Sequence, residues 1–292
     1  MPELPDVETL ARTLRAHLVG RRIRATRILT PATVRSPSST QFVRQLRGRR
    51  VTAVDRRGKY LLIRLNGGLV LLAHLRMTGD MEVVRAGEPV DRHTRVIFGL
   101  DGHRGGGAGT PGGEEIRFTD QRRFGHMDLL PAAALEDFGP LLRMGAEPLG
   151  RGFSLAAFRA LLARRRGALK PFLLRQDVVA GIGNLYADEI LFQARLHPGR
   201  RVELLRPAEV RRLHDAIRQV LRRATAGLSR AGRPVGELLD AREVGGACPR
   251  CGRPLRVSRL GGRATYFCPS CQRPARGRAE GRAGSRGRRG EG

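Results

Sequence analysis

Arg56-Arg57-Gly58-Lys59-Tyr60-Leu61-Leu62-Ile63-Arg64-Leu65-Asn66-Gly67-Gly68-Leu69-Val70-Leu71-Leu72-Ala73-His74-Leu75 holds two short apolar runs separated by Asn-Gly-Gly. Asn and Gly tolerate the positive backbone angles of a tight turn, so the stretch predicts two strands joined by a hairpin. Outward from it the same texture continues, with RIRATRIL, RVTAVD, MEVV, TRVIFGL, EIRFTD and HMDLL between about residues 21 and 128. With the hairpin these make eight predicted strands, and that spacing suggests an N-terminal β-sandwich. Upstream, residues 5–18 place Val7, Leu10, Leu14 and Leu18 at helical spacing, with Asp6 and Glu8 in the first turn where the helix dipole favours acids. A leading helix is therefore expected. The stretch DGHRGGGAGTPGGE, residues 101–114, cannot pack and reads as a flexible loop inserted between strands.

Beyond a connector the period changes. FSLAAFRALLARRR, KPFLLRQ, NLYADEILFQA and PAEVRRLHDAIRQVLRRATAG read as helices, punctuated by Pro171, Gly181, Gly183, Pro198 and Pro207. The fold class expected is thus multidomain α+β. Residues 1–130 form the leading helix and sandwich, 131–150 the connector, 151–240 a helical domain, 241–272 a cysteine-bearing β-hairpin, and 273–292 a disordered Arg/Gly-rich tail.

All four cysteines lie in that hairpin, as Cys248-Pro-Arg-Cys251 and Cys268-Pro-Ser-Cys271, with sixteen residues between the pairs. This is the spacing of a tetrahedral zinc site that braces a hairpin too small to hold a core. The alternative, two disulfides, suits an extracellular protein. Four thiolates leave no open coordination position, so one structural Zn2+ is expected rather than a catalytic one.

The formal charge of +28, of which the last twenty-one residues carry only seven Arg against two Glu, favours a polyanionic partner: nucleic acid or an anionic membrane surface. No run of eighteen apolar residues exists, and the start Met-Pro-Glu-Leu-Pro-Asp is acidic where a signal peptide is basic, so no membrane role and a cytoplasmic location are expected. Among 55 basic residues only Lys59 and Lys170 are lysines. A lysine that survives in an arginine background suggests a need for a compact ammonium or one that can lose its proton. Asn184 stands out similarly, because the one other asparagine, Asn66, has its turn to explain it.

Pro2-Glu3-Leu4-Pro5-Asp6-Val7-Glu8 can be read as a helix start in which Pro5 opens and the acids cap. Its weight changes alongside Arg56-Arg57-Gly58-Lys59-Tyr60-Leu61-Leu62, His74-Leu75-Arg76-Met77-Thr78-Gly79, Asp120-Gln121-Arg122-Arg123-Phe124-Gly125, Gly181-Ile182-Gly183-Asn184-Leu185-Tyr186-Ala187 and the closing cysteines. In this order, over about residues 2–272, the chain resembles the bacterial formamidopyrimidine-DNA glycosylase family. The resemblance implies a β-sandwich with its leading helix, a helix-two-turn-helix domain and a zinc finger. It also implies a monomer, nucleoid-associated, acting on double-stranded DNA that contains a damaged base.

It further implies a nucleophile: Pro2, after removal of Met1. An α-amine titrates near 8 against about 10.4 for lysine, so roughly a tenth is neutral at pH 7. A secondary amine attacking C1′ yields an iminium with no nitrogen proton to lose, an electron sink that permits strand cleavage by elimination. The resemblance makes Glu3 the acid/base at the sugar, Lys59 a phosphate contact and proton donor, and Arg263 the zinc-finger arginine linked to δ-elimination. Met77, Arg122 and Phe124 match the residues that fill the void left by an extruded base. Backbone contacts are expected from His74, His93, Arg122, Arg165, Lys170 and Asn184. Gly181-Ile182-Gly183-Asn184 ahead of a helix also suits a phosphate held by free amides.

Several positions depart from the family pattern: Asp6 for Glu, Gln121 for Pro, the insertion at 101–114, and Asp240-Ala241-Arg242-Glu243 where Val-Tyr-Gly-Arg is usual. Excision of oxidised purines (formamidopyrimidine, 8-oxoguanine) is the activity expected. The alternatives are an endonuclease VIII-like preference for oxidised pyrimidines and a non-catalytic DNA-binding protein.

Overall fold

The computed structural model describes residues 1–101 and 113–274. The expected Gly-rich loop lies almost wholly outside these residues, as does the expected Arg/Gly tail.

Helix α1 (Leu4–Leu18) leads into β1 (Ile23–Ile28), β2 (Val34–Ser36), α2 (Ser39–Leu46), β3 (Val51–Arg57), β4 (Tyr60–Leu65), β5 (Leu69–His74), β6 (Gly79–Arg85), β7 (Thr94–Leu100), β8 (Glu114–Asp120) and β9 (His126–Pro131). The strands form a four-stranded sheet ordered β1-β7-β8-β6 and a five-stranded sheet ordered β2-β9-β5-β4-β3. All eight predicted runs are strands. Reading by periodicity missed β2, whose three residues are too few to show a period, and α2, where Ser38 accepts from the Gln41 amide as an N-cap.

The sheets enclose a core of Phe42, Val54, Leu61, Ile63, Leu71, Val96, Phe98, Ile116 and Phe118. Strand β4 is apolar nearly throughout because both its faces are covered. Leu61 and Ile63 face the sandwich, while Tyr60 and Leu62 meet Leu135, Phe138 and Leu141 of the following connector, which contains α3 (Gly139–Leu142). The connector is thus a lid on the outer sheet face.

Helices α4 (Leu155–Ala163), α5 (Leu169–Leu174), α6 (Asn184–Gln193) and α7 (Pro207–Ala231) build a second core from residues such as Phe158, Phe172, Tyr186, Ile190, Leu213 and Leu221. Leu4 belongs to this core, whereas Val7, Ala11, Leu14 and Leu18 belong to the sandwich. Helix α1 therefore pins the chain's N-terminus at the junction of the two. The closing hairpin, β10 (Arg256–Leu260) and β11 (Arg263–Phe267), packs through Leu255 and Cys268 on Phe192 of α6.

Candidate active site

Glu3 sets the site. It is the N-cap residue of α1, and its amide donates to Asp6 Oδ2 at 2.7 Å. Its carboxylate reaches across the junction and accepts from the Gly183, Leu185 and Tyr186 amides at 2.7, 2.8 and 3.2 Å. These are the unsatisfied donors at the start of α6, where the helix dipole favours an anion. The anion expected on this Gly-rich turn is therefore the protein's own carboxylate, not a phosphate. Gly183 is required by close approach: a Cβ there would lie 2.3 Å from Glu3 Cδ. Burial pushes the Glu3 carboxyl up from its ordinary range, opposed by the Lys59 charge and by the three amides.

Lys59 sits at the tip of the β3–β4 hairpin, whose register pairs Arg57 with Tyr60 and leaves Gly58-Lys59 as a two-residue turn. Gly58 supplies the positive φ (56°) such a turn needs. The turn is fixed from outside by Glu147, which accepts from the Gly58 amide at 3.0 Å, Arg56 at 2.7 Å and Arg57 at 3.3 Å. Arg56 also donates to Glu8 of α1 at 3.1 Å, tying the Lys59 turn to the helix that carries Pro2 and Glu3. Burial pushes the Lys59 ammonium down, with Glu3 and Asp6 opposing and Arg263 reinforcing. A carboxyl pushed up and an amine pushed down, each within range of the other's charge, are the groups general acid-base chemistry uses.

A cavity of about 730 Å³ opens over Lys59, lined also by His74, Met77, Phe124, Asn184, Arg263 and Gly183, whose amide donates to the buried Glu3. Pro2 lines an adjoining cavity of about 620 Å³ with Asp6 and Thr78; Met1 and Met77 line both. Tyr60, His74 and His126 are cross-strand neighbours on β4, β5 and β9, and the two imidazoles stack at 5.5 Å. Burial, then the nearby Arg76 charge, pushes His74 down to about 3. It is therefore neutral, and since its Nδ1 accepts from the Arg76 amide at 3.0 Å, Nε2 carries the proton and can donate. Asn184 Oδ1 is buried without a hydrogen-bond partner at the cavity.

Two loops rim the opening. Asp120 holds them together, accepting from the Thr78 hydroxyl and from the Arg122 and Gly125 amides, the latter two at 3.1 and 2.7 Å. Met77 and Phe124 are thereby presented at one edge. Phe124 is 52% exposed, unusual for so large an apolar side chain, and Arg122 lies over its ring at 4.8 Å.

Pro2, Glu3, Lys59, Arg263, His74, Asn184 and the rim residues Met77, Arg122 and Phe124 are thus gathered at the junction. His93 and Arg165 do not line either cavity. His93 Nε2 accepts from Arg92 at 3.1 Å, and Arg165 lies 3.7 Å from Asp177. The assignment of Lys170 to phosphate does not hold, because its side chain is fully buried and its ammonium is engaged by Asp188 at 2.7 Å and the Ala264 carbonyl at 2.9 Å. Sequence reasoning missed the positioning acids. Asp120 stood inside a recognised motif without a role, and nothing in the run Gly145-Ala146-Glu147-Pro148 ties Glu147 to a turn nearly ninety residues earlier.

In the closing hairpin the four cysteine sulfurs lie within 4.8 Å of one another, with Cys248–Cys271 at 3.9 Å and Cys251–Cys268 at 3.5 Å. A tetrahedron of thiolates around zinc at about 2.3 Å requires sulfur separations of about 3.8 Å, so the donor set fits the ion.

Three family models match the chain in order: the formamidopyrimidine-DNA glycosylase N-terminal domain over residues 1–127, its H2TH domain over 144–231, and a zinc finger found in FPG and IleRS over 245–274. The formamidopyrimidine-DNA glycosylase of Symbiobacterium thermophilum is 44% identical, covering 91% of this chain and 88% of its own length. That of Pelotomaculum thermopropionicum is 38% identical, covering 91% and 97%. Fpg from Lactococcus lactis bound to DNA containing an abasic site superposes with a TM-score of 0.83 at 29% identity, covering 93% of this chain and 99% of that one. A complex of the same Lactococcus lactis protein with DNA containing an oxidised pyrimidine gives the same TM-score and identity. The order of the three matches and their coverage leave one assignment: the chain belongs to the formamidopyrimidine-DNA glycosylase family.

Proposed function

We propose that the protein is a bifunctional DNA glycosylase and abasic-site lyase of base excision repair, acting on oxidised purines in double-stranded DNA through Pro2. The observation that carries this reading is that Glu3 and Lys59, both shifted toward their neutral forms by burial, lie with Pro2 at the junction where a basic cavity opens. A protein that only held DNA would need exposed cations, whereas Lys59 is buried and, unlike Lys170, opens onto the cavity.

With Met1 removed, the Pro2 nitrogen attacks C1′ of the damaged nucleotide. The glycosidic bond breaks and its electron pair leaves with the base, which takes up a proton. Ring opening, with Glu3 delivering the proton to the ring oxygen, gives the iminium. Loss of the C2′ proton then expels the 3′ phosphate, and loss of a second proton expels the 5′ phosphate; water releases the sugar fragment from Pro2. Lys59 and Arg263 face the two phosphates as they depart. His74, through its Nε2 proton, and Asn184 hold the backbone, with His93 and Arg165 as outlying contacts. Met77, Arg122 and Phe124 fill the vacated stack, which costs a few kcal/mol if left empty. Zinc held by Cys248, Cys251, Cys268 and Cys271 would supply no reaction step and would brace the hairpin that carries Arg263.

The division at residues 130, 150, 240 and 272 follows these roles, and a monomer in the cytoplasm, on the nucleoid, suits them. No helix among the described residues is long and apolar enough to cross a membrane. A preference for oxidised pyrimidines is the second reading, favoured by the departure at Asp240–Glu243 from the family pattern. The test is incubation of the Met1-processed protein with duplexes carrying 8-oxoguanine or an oxidised pyrimidine, followed by borohydride. A covalent adduct that Pro2→Gly weakens is expected, strongest on the purine; no adduct on any lesion would refute the enzyme reading.

A further inference from the structure

Lys170 and Asp188 are the most deeply buried ion pair among the described residues, 0% and 1% exposed, and the chemistry above makes no use of them. Their partners are informative. Lys170 Nζ, from α5, donates to the carbonyl of Ala264 at 2.9 Å. Asp188 Oδ2, from α6, accepts from the amide of Tyr266 at 3.3 Å and from Arg242 Nε and a terminal guanidinium nitrogen at 3.1 and 3.0 Å. The Arg242 guanidinium then lies over the Tyr266 ring at 4.4 Å. Ala264 and Tyr266 are alternate residues of β11, so this carbonyl and this amide point to the same edge of the strand, away from β10. That edge, which would otherwise want another strand, is docked by two charges.

The anchored residues begin immediately after Arg263. Helix α6 carries at its first turn the amides that fix Glu3 and, two residues beyond Tyr186, the carboxylate that fixes β11. At 1.5 Å rise per residue the two attachments lie only about 3–7 Å apart along one rigid helix. We infer that Lys170, Asp188 and Arg242 are positioning residues that set Arg263 of the zinc hairpin against the Glu3–Lys59 pair, with α6 as the common ruler.

The geometry also explains why Lys170 is one of two lysines in the chain. A planar guanidinium could not sit as a compact point donor between Asp188 and a carbonyl without displacing one of them. It explains Arg242 as well, since the segment Asp240-Ala241-Arg242-Glu243 keeps a cation on Asp188 despite its unusual sequence.

This inference rests on the proposed role of Arg263 in the second elimination, so its test separates the two. The Met1-processed protein is given a duplex with a preformed abasic site; borohydride adduct and the ratio of β- to δ-elimination products are read. Arg263→Gln should form the adduct and stop at the β product. The triple variant Lys170→Met/Asp188→Leu/Arg242→Leu replaces the whole buried charge cluster by apolar groups, a change that is often neutral for folding. It should remain folded by circular dichroism, form the adduct, and slow the δ step by up to about a hundredfold, as a displacement near 1 Å does. Should that variant fail to fold, Arg242→Leu decides: it removes a cation whose side chain is 16% exposed, and should shift products toward β. An unchanged product ratio in a folded variant overturns the inference, as does a folded variant that loses the adduct. Absence of adduct in the unmodified protein overturns instead the function it rests on.

Discussion

Gly183→Ala isolates the contribution of geometry at the reacting centre. The added Cβ would lie 2.3 Å from Glu3 Cδ, 2.5 Å from Oε1 and 2.6 Å from Cγ, whereas ordinary contact begins at 3.4 Å. The carboxyl must retreat by about 1 Å, because the obstacle is fixed backbone at the start of α6 and the carboxylate is the movable partner. Retreat stretches the bonds from Gly183, Leu185 and Tyr186, and each hydrogen bond to a charged group contributes about 1.5–3 kcal/mol. A 1 Å misplacement of an acid/base group costs about a hundredfold in rate. Single-turnover excision should therefore slow by about that factor, approaching Glu3→Gln, and the melting temperature should fall. Gly152→Ala is the control, since its Cβ would meet nothing within 4 Å. If Gly183→Ala excises at the unmodified protein's rate while Glu3→Gln does not, the amide cradle does not set the carboxylate's position and the reasoning fails.

Three further outcomes follow from the same site. Arg263→Ala should lower the slope of log affinity against log salt by about one, whereas His74→Ala should weaken binding with the slope intact, because a neutral imidazole displaces no counterion; equal slope changes would show His74 bound as a cation. In Lys59→Met, Glu3 loses the charge that most opposes its upward shift, so its carboxyl should titrate higher still and, because Glu3 acts as a proton donor, the alkaline limb of the residual trapping rate should move to higher pH. Stability follows the same direction: a carboxyl raised on folding contributes fully below its unfolded pKa and loses that contribution as pH rises through the folded one. A limb that stays or moves to lower pH would count against the pairing. Phe124→Ala, at a 52% exposed position, should leave melting nearly unchanged yet slow excision from duplex DNA far more than from a single strand, where there is no stack to refill; equal slowing would remove it from the void-filling role.

Much of the fold is local and so was legible. The hairpin through Asn66-Gly67-Gly68 forms because that turn admits Gly67 and Gly68 at φ of 74° and 68°, and apolar runs on either side need each other to be buried. The helical periods of α4 to α7 and the cysteine spacing are likewise short-range patterns. The leading helix was visible for the same reason, but its division of labour was not. That Leu4 serves one core and Val7 the other depends on where two distant halves meet.

What the sequence determined by itself was which groups are present and which local conformations they favour: Pro2 and Glu3 ahead of a helix, Lys59 in a Gly turn, four cysteines on a short hairpin. Only the tertiary structure decided what those groups are worth. Glu3 became a raised acid on the amides of a helix 180 residues away; Lys59 was steered by Glu147; and Lys170, expected on phosphate, turned inward to Asp188. The physical reason is that a charge is defined by what replaces its water, and the replacing groups come from segments that sequence spacing does not relate.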